Sequence, residues 1–515
     1  MLDGYTKKEL KDQAAVFAKA VGYGKQGMLA EAARSYRFFL SKWPQPIAFY
    51  NYAVLLKQMK MVDAAAVNYA KAIALKPDFT QAHVNLGSIY IDQRQFENAL
   101  VQFDAAIRHS PGLAEAYYNR GVVLQELRRH DDALEDYDRT LALQPNYYLA
   151  YLNKSVILYE LKRKTEAARN YQQILARNPE HIDANWNLGI LKLSEGDFSA
   201  GWKLSESRLK LHADHFDSVF QKPFWDGREN LQGKTLLIKW EQGFGDTIQF
   251  CRYARLVKDA GATVILSVQD PLKRLIRHLD NGIEVIGENE MPETFDYYSF
   301  VMSLPHAFAT SLATIPYPTQ YLRTDPAEIA RWQTRLGDQS GLKIGLVWAG
   351  GERANITSAR RNDANRSIAL QHYAPLLEVK NTEFYSLQKG PPAAQLASAG
   401  LAIHDWTDEF TDFADTGALI ENLDLVISVD TAVAHLAAAL GKPVWILLPW
   451  TSCWRWLEAR TDSPWYAGVR LFRQSERGNW GPVIAAVLQE LQLLAARHDH
   501  PVDAGHGPIP AAADG

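Results

Sequence analysis

Asp430, Thr431 and His435 stand close together in "LVISVDTAVAHLAAALGKPVWILLP", where an apolar run reads as a buried strand and a small-residue run as a helix that starts at once. The first amides of such a helix have no partner inside it, and its dipole is positive there. A nucleotide phosphate could therefore dock on Thr431 and Ala432, with His435 one turn further on facing the same ligand. The same residues also suit a plainer arrangement in which Asp430 or Thr431 caps the helix and His435 packs against a sheet. A second turn, "EQGFGDTIQF", places Gly243 and Gly245 around the start of another helix, with Asp246 suited to cap it. Ile248 stands where the third glycine of a dinucleotide fingerprint belongs, which disfavours a dehydrogenase-type site. Gln388 and Lys389 follow the apolar stretch "EFYSL", where a ribose or base would be read. Trp450, Trp454, Trp456 and Trp465 crowd around Arg455 and Arg460, a set that could stack on a base or sugar and equally could fill a core.

These residues need elements to hold them. "KTLLIKW", the glycine turn and its helix, and "ATVILSV" read as a parallel strand, helix, strand unit. A second set begins at "LKIGLVWAGG" and continues through "EFYSLQ" to the Asp430 segment. Two doubly wound domains in tandem are expected, with ligands lying beyond the carboxyl ends of the strands.

The preceding part of the chain has another period. Pro77, Pro111, Pro145 and Pro179 fall 34 residues apart, with Pro44 preceding them. Ala82, Ala116, Ala150 and Ala184 share one phase, and Gly87, Gly121 and Gly189 another in which Ser155 stands in. Ala99, Ala133 and Ala167 hold a third, and Tyr69, Phe103, Tyr137 and Tyr171 a fourth. Small residues let paired helices approach, aromatics fill the gap, and proline ends each second helix. The pattern resembles the tetratricopeptide repeat from about residue 12 to 211, which implies a right-handed superhelix with first helices on its concave face. Asn51, Asn85, Asn119, Asn153 and Asn187 recur at the same spacing although asparagine is a poor interior helix former. A line of amides could hold the backbone of an extended polypeptide whatever its side chains; it could also be a packing feature of the repeat. Gly201 and Trp202 alter the last unit, which looks like a cap turning into something else.

The Asp430 segment and "GDTIQF" together resemble the heptosyltransferase-like glycosyltransferases, family nine, which share the two-domain GT-B fold. The resemblance implies that Asp246 is the base for the acceptor hydroxyl, competing with its capping role. It implies that Asp430, Thr431 and His435 bind donor phosphates and that Arg366, in "NRSIAL", meets the leaving phosphate where the family usually has lysine. The repeats followed by "EQGFGDTIQFCRYA", "GLVWAGG", "DTAVAHLAAALGKPVW" and "WRWL" with "SPWYAGVRLFRQ" look like the bacterial tetratricopeptide-repeat glycosyltransferases. Some of those modify flagellin, and the architecture also resembles the O-GlcNAc transferases, so a polypeptide acceptor is implied.

A length of 515 residues suggests roughly three domains at about 150 each. The expected fold is α plus α/β: a repeat α-solenoid over residues 1–215, then a GT-B module of two Rossmann-like domains over 216–335 and 336–496, then a disordered tail over 497–515. His498, His500 and His506 in that tail are a weak metal-binding set. A net charge of −4 offers no global field for nucleic acid or an anionic membrane. Two cysteines, no signal-like leader and no apolar span point to a cytoplasmic protein. No strand ends in an Asp-x-Asp with further oxygen ligands, so metal-free chemistry is expected, with a nucleotide sugar as co-substrate and no cofactor. Developing charge on the leaving phosphate would then fall to a helix end and to Arg353, Arg360, Arg361 and Arg366. The expectation is transfer of a sugar to Ser or Thr of a polypeptide held by the repeats. A heptosyltransferase-like enzyme acting on a glycan and a non-catalytic scaffold are the alternatives.

Overall fold

The structure, a computed structural model, describes residues 7–211, 219–337, 340–351 and 363–499. Arg353, Arg360, Arg361, His500 and His506 lie outside the described residues. The chain divides into two compact units, Met1–Pro179 and Glu180–Gly515.

The first unit consists of helices in antiparallel pairs: α1 (Lys7–Lys25) with α2 (Leu29–Lys42), α3 (Pro46–Gln58) with α4 (Val62–Leu75), α5 (Thr80–Asp92) with α6 (Phe96–His109), α7 (Ala114–Glu126) with α8 (His130–Leu143), and α9 (Tyr148–Glu160) with α10 (Lys164–Leu175). The periodic small residues are the reason these helices close on one another. Ala65, Ala82, Ala99, Ala116, Ala133, Ala150 and Ala167 are all fully buried. A Cβ on Gly87 would lie 2.7 Å from the Phe103 ring, and one on Gly121 would lie 2.8 Å from the Tyr137 ring, so the aromatic of each second helix occupies the space a side chain would need. Ser155 is accommodated in that phase because its Oγ donates to the Tyr151 carbonyl at 2.7 Å. Between the helices of each pair the chain reverses through a left-handed residue: Gly27 at φ 74° in the first pair, then Lys60, Arg94, Arg128 and Lys162 with φ of 58° to 60°.

In the second unit α11 (Ile182–Ser194) and α12 (Phe198–Ser205) form a further pair, and its apolar face belongs to the core of the α/β domains. Leu193, Phe198 and Trp202 share one cluster with Trp454 and Trp465, and the Trp202 indole donates to the Thr310 carbonyl at 2.9 Å. Gly201, the odd residue of the last repeat, permits this, since a Cβ there would meet Leu193 at 2.6 Å.

Two all-parallel sheets follow. The first contains β1 (Thr235–Lys239), β2 (Thr263–Ser267), β3 (Ile283–Ile286) and β4 (Tyr297–Phe300) in the order β3-β2-β1-β4. The second contains β5 (Leu342–Val347), β6 (Thr382–Ser386), β7 (Leu425–Val429), β8 (Val444–Leu448) and β9 (Val469–Arg473) in the order β6-β5-β7-β8-β9. Strands β7 and β8 are buried at every position, as parallel strands covered on both faces must be. The order reverses direction beside β1 and beside β5, which opens a crevice at the carboxyl ends of these strands. The architecture is thus a helical solenoid followed by two Rossmann-like domains. Among the described residues no helix is long and apolar enough to cross a membrane.

Candidate functional site

Two helix starts meet at the carboxyl ends of β1 and β7. The first is Phe244–Phe250, entered through Gly243; the second is Ala432–Ala439, entered through Thr431. Gly245 makes their approach possible: a Cβ there would lie 3.0 Å from the His435 ring and 3.6 Å from Ala432 Cα. The structure thereby brings Gly243, Gly245 and Asp246 of one domain against Asp430, Thr431, Ala432 and His435 of the other.

Asp246 does two things at once. Its Oδ2 accepts from the Gly243 amide at 2.8 Å, capping its own helix, and its Oδ1 is ion-paired with Arg455. Arg455 also donates to Gln249 Oε1 and, at 3.1 Å, to Cys453 Sγ. Burial works against the charge of Arg455, yet Asp246, Cys453 and Asp430 hold its pKa above the usual arginine value.

The second helix start is uncapped by side chains. Thr431 occupies the N-cap with extended backbone, but its hydroxyl pairs with Ser428 Oγ at 3.1 Å instead of an amide. His435 is buried, stacked on Trp456 at 5.2 Å, with Nδ1 2.8 Å from the Tyr466 hydroxyl and Nε2 3.9 Å from Asp430 Oδ1. Its pKa lies well below the ordinary histidine value, first because burial penalises the cation and then because Arg455, Arg252 and Arg366 are near. The imidazole is therefore neutral at physiological pH. Arg366 reaches the same place: its Nη1 donates to the Asp430 carbonyl at 2.6 Å, its Nη2 bonds Asp363 at 2.5 Å, and its guanidinium fills the space over Gly350. Its buried Nε has no partner among the described residues.

Gln388 and Lys389 are placed otherwise. Gln388 Oε1 accepts from the Trp348 and Ala349 amides at 3.1 and 2.8 Å and its Nε2 donates to the Lys389 carbonyl, so its amide ties the end of β5. Lys389 Nζ donates to the Phe410 carbonyl at 2.7 Å. Trp454, Trp456 and Trp465 are core residues, and Arg460 pairs with Asp462.

Three groups at the site carry no motif. Arg252 is fully buried and, among the described residues, has no carboxylate bonded to it; it donates to the carbonyls of Gln249 and Trp465 at 2.7 and 2.9 Å and to Tyr321 Oη at 2.9 Å, and lies over the Tyr321 ring. Tyr466, the partner of His435, was visible only as part of an aromatic run. Arg208, just after α12, grips Glu241 before the glycine turn at 2.6 and 3.1 Å and donates to Ser303 Oγ at 2.8 Å. Burial raises the pKa of Glu241 against the pull of Arg208.

Asn51, Asn85, Asn119 and Asn153 each occupy the sixth position of α3, α5, α7 and α9, which puts them on one face of the first unit, and Asn187 holds the same position in α11. All are half-buried. Asn85 donates to the Tyr50 hydroxyl at 3.1 Å and Asn153 to the Tyr118 hydroxyl at 3.2 Å, so part of each amide is spent on the preceding repeat.

Residues 410–456 match glycosyltransferase family 9 (heptosyltransferase), a span that contains the Asp430 turn, His435 and Arg455 but not Asp246. Residues 47–79, 87–127, 114–147 and 158–200 match tetratricopeptide repeats. Over 332 residues the chain is 27% identical to Protein FlbA of Caulobacter vibrioides, covering 59% of this chain and 54% of that protein. The chain thus spans about half the length of the curated relative it matches. Among solved structures, YrrB, described as a TPR protein with an unusual peptide-binding site, is 22% identical with a TM-score of 0.31, over 36% of this chain and 95% of that one. PilF of Pseudomonas aeruginosa is 20% identical with a TM-score of 0.35, over 40% and 97%. The chain is thus similar to tetratricopeptide repeats over four spans of its first part and to glycosyltransferase family 9 over one span of its second.

Proposed function

We propose that the chain is a GT-B glycosyltransferase that moves a sugar from a nucleotide-activated donor to a Ser or Thr hydroxyl of a polypeptide held by the repeats, without a metal ion. The observation that carries this reading is the meeting of Asp246 with the uncapped Asp430–Thr431–His435 turn across two Rossmann-like domains. The acceptor oxygen attacks the anomeric carbon, its proton passes to the Asp246 carboxylate, and the electron pair of the breaking bond goes to the nucleotide phosphate. That phosphate would rest on the Ala432 end of the helix, with neutral His435 and the guanidiniums of Arg366 and Arg455 around it. Such fixed dipoles and cations can supply what a divalent ion would otherwise supply. The donor is consumed as a co-substrate and no cofactor is needed.

The polypeptide acceptor rests on the asparagine face of the first unit, and flagellin is an acceptor to try first because the architecture resembles transferases that modify it. The bonds from Asn85 and Asn153 to neighbouring tyrosines favour a second reading, in which the column is packing and the acceptor is a glycan. Purified protein should be warmed with UDP-, GDP-, ADP- and CMP-sugars, because a ligand of the native state raises the melting temperature. The donor found this way should be split by the wild type, and Asp246→Ala should abolish splitting with the fold intact. Absence of binding by every nucleotide leaves only a scaffold. Replacing Asn85, Asn119 and Asn153 together by Ala should severely impair a polypeptide transferase and leave a glycan transferase untouched.

A further inference from the structure

We propose that Arg455 is a ligand of the donor phosphate and that, until the phosphate arrives, it holds Asp246 out of the reaction. The proposal rests on the donor-site reading above and adds an order to it: the anion comes first and the base becomes available second.

The argument starts from how the Arg455 guanidinium spends its donors. It comes from the second domain and reaches into the first, where Nη2 pairs with Asp246 Oδ1 and Nε bonds Gln249 Oε1. Its remaining bond, Nη1 to Cys453 Sγ at 3.1 Å, goes to sulfur, a weak acceptor that a phosphate oxygen would outcompete. Gln249 is fully buried and its Nε2 has no partner among the described residues, so an open donor stands beside the cation. The charge of Arg455 is felt at His435 and that of Asp430 at Arg455, which puts the guanidinium within electrostatic reach of the proposed phosphate turn.

Asp246 meanwhile has one oxygen on Arg455 and the other on the Gly243 amide at 2.8 Å. Each oxygen already accepts one bond, which leaves the carboxylate fewer lone pairs for an incoming hydroxyl. A diphosphate carries more charge than a carboxylate and more oxygens than it needs for the helix end. It can take Nη1 and Nη2 from Cys453 and Asp246, with Gln249 Nε2 as a further donor. Asp246 keeps its cap and recovers a free lone pair. The exchange confines the active base to molecules that already hold donor.

Calorimetry with inorganic pyrophosphate on the full chain tests this through a double-mutant cycle. If Asp246 competes for Arg455, Asp246→Asn should tighten pyrophosphate binding by roughly tenfold or more, the worth of one charge-assisted bond released from competition. Arg455→Gln should weaken binding, and in that background Asp246→Asn should change affinity little. Removing a negative charge without competition would instead tighten binding equally in both backgrounds, and that additive result overturns the proposal, as does weaker binding in Asp246→Asn alone. Arg455→Lys keeps the charge should the glutamine variant fold poorly, and it should retain part of the coupling. A wild-type crystal structure with pyrophosphate provides a check without mutation: Arg455 should have left Asp246, and an intact pair beside bound anion refutes the exchange. If wild type binds neither pyrophosphate nor any nucleoside diphosphate, the donor site itself is wrong, an outcome distinct from additivity.

Discussion

The neutral state of His435 makes a stability prediction that does not depend on knowing the substrate. In the unfolded chain this histidine titrates near its ordinary value of about 6.5. In the folded chain its pKa is depressed, chiefly by burial. Between those two values the unfolded state holds a proton that the native state refuses, so stability falls as pH falls, by about 1.4 kcal/mol for each pH unit once below 6.5. From pH 7.5 to 5.5 the loss due to this residue is at most about 1.4 kcal/mol, the full cost of a proton taken up by the unfolded chain alone. Above pH 7.5 His435 contributes no slope. Urea unfolding followed by tryptophan fluorescence is the suitable assay, because of 14 tryptophans only Trp43 precedes the second unit. With a denaturant slope of about 3 kcal/mol per molar, this residue should lower the midpoint by up to roughly 0.5 M between pH 7.5 and 5.5. His435→Gln removes the titrating group, and every other acid and base is common to both proteins, so the difference between the two pH profiles isolates it. Parallel profiles for wild type and variant would falsify the claim that the imidazole is held neutral by its surroundings.

Three further outcomes follow from the packing. Gly121→Ala puts a Cβ 2.8 Å from the Tyr137 ring, so the first unit should lose about 1 to 3 kcal/mol of stability in denaturant unfolding, whereas Gly112→Ala, with open space around it, should cost far less. Trp202→Ala removes a buried indole and its bond to Thr310, and should destabilise the second unit by about 3 to 5 kcal/mol. Lys60→Gly relieves a side chain held at φ 60° on an exposed turn and should raise stability by about 0.5 to 1 kcal/mol, with the gain visible as a higher urea midpoint.

What the sequence made legible follows from how far each signal reaches along the chain. The repeat phases and the strands β1, β2, β5, β6, β7 and β8 depend on neighbours within a few residues or on a fixed 34-residue step, and periodicity exposes both. The left-handed turns were hidden because Lys60, Arg94, Arg128 and Lys162 occupy a conformation usually signalled by glycine or asparagine. The pairing of Arg455 with Asp246 spans 209 residues, and that of Arg252 with the Trp465 carbonyl spans 213, so no local pattern could reveal either. Gln388 shows the opposite difficulty: its place after β6 suggested ligand contact, while its side chain turns back to the amides at the end of β5.

The electrostatics of the site explain why an unprotonated histidine belongs there. Arg252 is buried with no bonded carboxylate among the described residues, yet its guanidinium finds enough carbonyl and hydroxyl acceptors, and enough aromatic face, to remain charged. With Arg366 and Arg455 it makes a cationic surround that keeps a proton off His435. A cationic imidazole would add one more buried like charge, and among the described residues no carboxylate lies closer to it than Asp430 at 3.9 Å. Arginine sustains the positive field because it does not deprotonate near neutral pH, and the imidazole is left free to act as a hydrogen-bonding group whose charge does not change as an anion enters or leaves. Under the proposed function the division of labour would be physical: permanent cations would attract the phosphate, the uncapped helix end would orient it, and the Asp246 carboxylate on the opposite domain would take the proton.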